Sequence, residues 1–231
     1  MKPILTQITR TLFEFSWEEA VSDELLQSQI SFKSKLQKAF QSEILELRMG
    51  FKTLALVLLK PIETIKISHW LASLNIDEDL KPLPERIWQI PVCYSVETGR
   101  DLTSLAKDKN ISKEEIIFLH TKSLYRLHFY GFLPGFMYLN GLAEKLYSLR
   151  KRIPDRIVPA GSVAIGGSQT GIYPADSPGG WHLIGQTPTL LFKPKQAIPV
   201  FASPGERIEF VPISAIEFES LKRHPTQPNF R

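Results

Sequence analysis

Ten of the thirteen glycines in this 231-residue chain fall between Gly131 and Gly185, leaving only Gly50, Gly99 and Gly205 outside. Across that stretch the backbone must turn repeatedly with positive φ or approach something closely, so it favours short extended pieces over long helices. Turns alone do not explain the side chains that come with them. "FYGFLPGFMYLNGL" at 129–142 crowds aromatics around its glycines and proline, and "GIYPADSPGGWHLIG" at 171–185 adds Tyr173, Trp181, Asp176 and His182. Rigid aromatic walls with exposed backbone N–H groups suit a small, partly polar, planar ligand. A hydrophobic core crossing several turns uses the same residues, and composition leaves both readings open.

The preceding half of the chain has a different texture. "ITRTLFEF", within residues 4–15, alternates as one half-buried strand. A Ser22-Asp23 cap signal opens a helix over 22–40, with Leu25, Leu26, Ile30, Leu36 and Phe40 on one face. "EILELRMGFKTLALVLL" then reads as two strands joined near Met49-Gly50, and a second helix is predicted over 62–75. This β-α-β-β-α string is about half a ferredoxin-like plan or slightly more. The acidic, then proline-rich "NIDEDLKPLPER" marks a linker over about 75–86. A strand at 87–94 and two helices follow, the first capped by Asp101 or Thr103 and the second by a Ser112-x-x-Glu115 capping box. From Tyr125 onward the spacing predicts a β-rich, barrel-like domain. The fold class is therefore α+β, with a small N-terminal α/β domain of ferredoxin-like type over 1–80 and a β-barrel domain over 86–231.

Charge and composition exclude several roles. The formal net charge is +4, from 28 basic and 24 acidic residues dispersed along the chain, which argues against nucleic acid as a partner. "RKRIPDR" at 150–156 reads as a solvated surface loop, with anion binding as the alternative. A single cysteine, Cys93, lies in a strand that reads as buried, which favours an inert thiol and a reducing, cytoplasmic home. The longest strongly apolar run, "LALVLL", is too short to span a bilayer, and the N-terminus lacks a signal-peptide core, so a soluble protein is expected.

Familiar chemistries fit the glycine-rich region poorly. "GSVAIGGS" at 161–168 has the spacing of a phosphate loop, but Gly167 stands where the lysine is needed, leaving only backbone donors for an anion or carboxamide. Neither Ser177 nor Ser168 sits in a G-x-S-x-G elbow, so Asp176, Ser177 and His182 make no hydrolase triad. None of the five histidines has metal-ligand spacing, and no metal is expected. His120 falls at the end of a predicted helix, where the macrodipole favours its protonated form; it is the one acid/base candidate, against a structural histidine.

"GFLPGFMYLNGL", "VPAGSVAIGGSQTGIYP" and "SPGGWHLIGQTP", in that order, resemble the B-subunit family of bacterial ATP-dependent 5-oxoprolinases, also called KipI-like or allophanate hydrolase subunit 1. The resemblance implies that the barrel is cyclophilin-like. It implies hydrolysis of 5-oxo-L-proline to glutamate together with the 5-oxoprolinase C component, which is a homologous barrel protein, and the A component, with ATP activating the lactam carbonyl. It also implies inactivity of the single chain, and two other uses of the same barrel: a regulatory protein that inhibits a sensor histidine kinase, or a carboxyltransferase component of a urea carboxylase/allophanate hydrolase system. Carried onto this sequence, the substrate-binding elements are Gly131, Phe132, Pro134, Gly135, Phe136 and Tyr138 from the first motif. Pro159, Gly161, Ser162, Gln169, Thr170, Tyr173 and Pro174 come from the second, and Pro178, Gly179, Gly180 and Trp181 from the third. His120 matches a histidine usual before the first motif. Two positions depart from the family pattern: Pro154-Asp155 replaces a Pro-Arg pair, with Arg156 displaced by one, and Gln186 replaces an arginine. Losing cations there weakens any anion contact made at those positions.

Overall fold

The structure, a computed structural model, describes residues 1–75, 80–224 and 226–231. The chain divides into two compact units, Met1–Leu83 and Pro84–Arg231; residues 76–79 of the expected linker lie outside the described residues.

The first unit is a four-stranded antiparallel sheet with two helices. Its strands are β1 (Ile4–Gln7), β2 (Leu12–Ser16), β3 (Ile44–Met49) and β4 (Thr53–Leu58), in the order β1-β2-β4-β3, and its helices are α1 (Asp23–Ala39) and α2 (Thr64–Ser73). The run β2-α1-β3, with β4 inserted between the two strands, is the split β-α-β of a ferredoxin-like plan. The single strand expected up to residue 15 is instead a hairpin. The chain reverses where Ile8 and Thr9 both donate to the Leu12 carbonyl, and the Thr9 hydroxyl accepts from the Thr11 amide at 3.2 Å. Alternation in "LFEFS" and "TLALVL" sends Phe13, Phe15, Leu54, Leu56 and Leu58 into the core. Ser22 caps α1 as expected, accepting from the Leu25 amide at 3.2 Å. Phe32, not Ile30, completes the buried face of α1, because positions 25, 29, 32 and 36 follow the 3.6-residue repeat. Its ring meets Phe15 and Trp17 edge-on, with centroids 4.9 and 5.5 Å away.

The second unit begins with β5 (Ile87–Cys93), α3 (Leu102–Lys109) and α4 (Lys113–Lys122). Strands β6 (Leu124–Tyr130), β7 (Met137–Asn140), β8 (Asp155–Val158), β9 (Ser162–Gly166), β10 (Gln169–Ile172), β11 (Ser177–Gly179), β12 (His182–Gln186) and β13 (Arg207–Ile213) follow, and then α5 (Ala215–Arg223) and β14 (Asn229–Phe230). Seven of these strands close a barrel in the order β12-β9-β10-β7-β6-β13-β5, the seam being the pairing of Gln186 on β12 with Cys93 on β5. The expected barrel is thus present. β8 and β11 stand outside it as a two-stranded ribbon, and β14 adds to β5. Ser112 caps α4 through the Glu115 amide, but the Glu115 carboxylate pairs with Lys145 rather than closing the box. Cys93 is buried and free. Among the described residues, no helix is long and apolar enough to cross a membrane.

The barrel wall separates two clusters. Val163 and Ile165 on β9 face the main core with Ile172, Leu139 and Phe210, whereas Ala164 between them joins Phe136, Tyr173, Trp181 and Leu183 on the other side of the wall. Inside the core, His120 is fully buried and stacked on Phe210 with centroids 4.6 Å apart. Its Nδ1 lies 2.8 Å from the Tyr94 hydroxyl and its Nε2 2.9 Å from Thr170 Oγ1. Thr170 spends its one proton on the Ala164 carbonyl at 3.0 Å, so it accepts from Nε2–H, and Nδ1 accepts from Tyr94. The thread is closed with a neutral imidazole. Burial lowers the His120 pKa from the ordinary 6.5 to about 3, overriding the helix-end effect expected from the sequence.

A stability prediction follows from that imidazole. Below about pH 6.5 the unfolded chain binds a proton that folded His120 refuses, so this contribution is complete above pH 6.5 and is lost as pH falls toward 3. The loss runs at about 1.4 kcal/mol per pH unit. Denaturant titrations from pH 7 to 4 should show the natural chain losing stability more steeply than His120→Gln, the difference between the profiles having about that slope; parallel profiles would rule out a neutral buried imidazole.

Candidate functional site

On the outer side of the barrel wall the aromatic cluster borders a cavity of about 340 Å³. Phe132, Phe136 and Tyr138 line it from the first motif, Tyr173 from the second, and Pro178, Gly179, Gly180 and Trp181 from the third. Arg150, Lys151 and Pro154 complete the lining.

The wall is built by rings lying where glycines leave room. A Cβ on Gly166 would come within 2.4 Å of the Trp181 ring, and one on Gly179 within 2.4 Å of the Tyr173 phenol oxygen. Trp181 therefore rests on β9, and Tyr173 tucks against β11. Phe136 holds the rings together, meeting Tyr173 at 5.0 Å and Trp181 at 5.6 Å, both edge-on. At the mouth stands Phe132, 61% exposed, with φ +62. A left-handed backbone is costly for an aromatic residue, on the order of 1–2 kcal/mol. It is held by a three-residue turn, Leu133 N–H to Gly131 O at 2.7 Å, and by Phe136 N–H to Leu133 O at 2.9 Å.

Charge is arranged on one flank. The Lys151 ammonium lies 2.6 Å from both the Asp101 and Asp155 carboxylates, and Arg100 reaches Asp155 at 2.7 Å. Burial opposes ionisation of Asp155, but Lys151 and Arg100 outweigh it and hold its carboxyl below the ordinary range. Asp101 does not cap α3 through its side chain; its carboxylate accepts from the Leu183 amide at 2.8 Å as well as from Lys151. Burial pushes the Tyr173 hydroxyl up to about 12, opposed by a bond from the Trp181 backbone. Tyr138 is likewise raised by burial, against the field of Arg150. Both phenols stay protonated at neutral pH and can donate hydrogen bonds.

The other residues expected from the sequence fall elsewhere. His120 and Thr170 do not line the cavity but bond to each other in the barrel core. Gly131, Pro134 and Gly135 form the turn behind Phe132, with Pro134 exposed on its outside and Gly135 packed against Phe192 and Pro174. Pro159, Gly161 and Ser162 make the bend into β9, where the Ser162 amide donates to the Pro159 carbonyl at 3.2 Å. Gln169 pairs with Gly166 across the β9–β10 hairpin. The backbone of "GSVAIGGS" is thus engaged in strand pairing rather than gathered around an anion. Asp176 accepts from the Ala160 amide and His182 donates to the Leu149 carbonyl, so no triad forms. Arg150, Lys151 and Pro154 line the cavity without having been among the expected site residues, since "RKRIPDR" reads as a surface loop with anion binding only as its alternative. Among the described residues, no cluster of three or more His, Cys, Asp or Glu side chains is placed to hold a metal. A second cavity, of about 410 Å³, lies beside Trp88, Lys193, Phe201 and Phe230, but its Arg86 is already paired with Glu206 at 3.1 Å, and none of the expected site residues reaches it.

Comparison with known proteins agrees with this architecture. A family profile described as the carboxyltransferase domain, subdomain C and D, matches residues 4–202. The chain is similar to the 5-oxoprolinase B subunit of Bacillus subtilis, 41% identical over 164 residues that make up 70% of this chain and 67% of that protein. It is similar to the crystal structure of TTHA0988, with TM-score 0.75 and 32% identity over 88% of this chain, which spans only 40% of that longer chain. The K. lactis urea amidolyase shares the fold, with TM-score 0.80 over 98% of this chain and 16% of that chain, at 14% identity. With the profile matching most of its length, this chain belongs to the carboxyltransferase subdomain C and D family, alongside the 5-oxoprolinase B subunits.

Proposed function

We propose that this chain is the B component of an ATP-dependent 5-oxoprolinase and that its outer-wall cavity receives the lactam. The observation that carries the reading is the convergence of three motifs, distant in sequence, on one small cavity in a chain 41% identical to a named B subunit. A five-membered cyclic amide is planar and compact. Phe132, Phe136 and Trp181 give the lining its apolar surface, and the protonated hydroxyls of Tyr138 and Tyr173 are donors of the kind an amide oxygen accepts.

The chain's own groups bind rather than activate. Among the described residues lining the cavity there is no histidine, cysteine or carboxylate, so no general base near neutral pH faces a bound amide. Nor do its residues fit a triphosphate at the glycine-rich segment, whose strands are paired into the barrel sheet. ATP and the hydrolytic step are accordingly assigned to the A and C components working with this chain. A cytoplasmic location belongs to the same proposal, and the lone buried Cys93 fits it. The likeness to urea amidolyase extends to fold alone and favours no urea substrate.

The direct test mixes the purified chain with folded A and C components, ATP and 5-oxo-L-proline. Glutamate and ATP turnover are expected from the complete mixture and not from this chain alone; a complete mixture that forms no glutamate would sink the assignment. Two substitutions probe the cavity. Gly166→Ala pushes the Trp181 ring off β9 and is expected to cost about 1–3 kcal/mol of stability, with a shifted indole fluorescence. Phe132→Asn keeps the left-handed turn, which asparagine tolerates. It should leave the melting temperature unchanged or slightly higher while weakening lactam binding in calorimetric titrations.

A further inference from the structure

The two cations in the cavity lining differ in their partners. Lys151 is held by two carboxylates, each 2.6 Å away, and its side chain is only 17% exposed. Its charge is spent on the ribbon that frames the cavity. Arg150, one residue earlier, takes part in none of the ion pairs among the described residues. Its guanidinium lies over the Trp181 ring, 5.5 Å from the centroid. A guanidinium over an aromatic face is attracted by the ring's quadrupole, and it carries five N–H donors. Those donors form the planar fork that a carboxylate matches with two parallel bonds. The indole beneath is fixed in turn by Gly166 and by the edge-on contact with Phe136. The cation thus stands at the cavity lining beside a fixed ring, paired with no carboxylate among the described residues.

We propose that Arg150 is a specificity-determining residue of this cavity, receiving the carboxylate of a small anionic cyclic amide and selecting acid-bearing lactams over neutral ones. The inference rests on the functional reading above and adds to it the residue that receives the substrate's carboxylate. The two cations then have different roles, with the neutralised Lys151 shaping the flank and Arg150 recognising the ligand. A neutral planar amide such as urea leaves Arg150 without a partner.

Calorimetric titration of the full chain with 5-oxo-L-proline and with 2-pyrrolidinone, its analogue without the carboxylate, tests the proposal. The natural chain is expected to prefer the acid by about tenfold or more, as for a charge-assisted pair at a partly exposed site. That preference should shrink with added salt. Arg150→Gln should lose it, binding the two lactams about equally, and Arg150→Lys should recover part of it. Arg152→Gln, an exposed arginine outside the lining, should behave as the natural chain. Equal affinity of the natural chain for the two lactams, or undiminished preference in Arg150→Gln, overturns the role of Arg150 and leaves the lactam site standing. Binding of neither lactam overturns both.

Discussion

The Trp181 ring occupies space that any side chain at position 166 would need, since a Cβ there would lie 2.4 Å from it. This contact joins the second motif to the third, and Phe136, edge-on to Trp181 at 5.6 Å, adds the first. Tyr173 follows the same rule, its phenol filling the place of a side chain on Gly179. The abundance of glycines and of aromatics is therefore one feature. The glycines make room for rings, and the rings make the wall of the cavity. Because interiors are close-packed, rings seated in this way have few alternative positions, which gives a binding surface its fixed geometry before any ligand arrives.

The same wall isolates the other polar feature of the barrel. Tyr94, His120, Thr170 and the Ala164 carbonyl form a directed thread on the inner side, while the Ala164 side chain packs with the outer cluster. An imidazole held neutral down to about pH 3 has no proton to exchange near neutrality. His120 thus contributes by satisfying buried polar groups and fixing how α4 meets β10, in keeping with the structural alternative that the sequence also allowed. The cavity lining on the other side of the wall therefore holds phenols and a guanidinium but, among the described residues, no histidine or carboxylate.

Much of this was legible in the sequence where one local rule dominates. Period-2 alternation located β2, the Ser22 and Ser112 caps located the starts of α1 and α4, and eight of the residues singled out line the cavity. The misses share a cause in tertiary context. The β1–β2 turn is made by Thr9, Arg10 and Thr11, without the Gly, Pro, Asn or Asp that usually marks a reversal, so the segment reads as one strand where two exist. Asp101 reads as a helix cap, but its carboxylate is drawn to Lys151 and Leu183, 50 and 82 residues away. "RKRIPDR" carries no periodicity at all. Its place beside Trp181 follows from the β8–β11 ribbon, whose pairing of Asp155 with Gly179 no local signal announces.

That ribbon also decides what the two departures from the family pattern mean. Gln186 stands at the barrel seam opposite Cys93, and its side-chain amide donates to the Ala160 carbonyl at 2.6 Å, bracing the bend into β9. It does not line the cavity, so the missing cation there is no loss to this site. Asp155 likewise lies outside the lining, yet it is one of the two carboxylates that fix Lys151, and it ties Arg100 to the same network. An arginine at position 155 would face both of these cations and disperse them. With Asp155 in place they are neutralised, and the positive charge left on the cavity wall is that of Arg150, lying over the ring that joins the three motifs. Neither substitution takes a cation out of the lining, where Arg150 and Lys151 both stand.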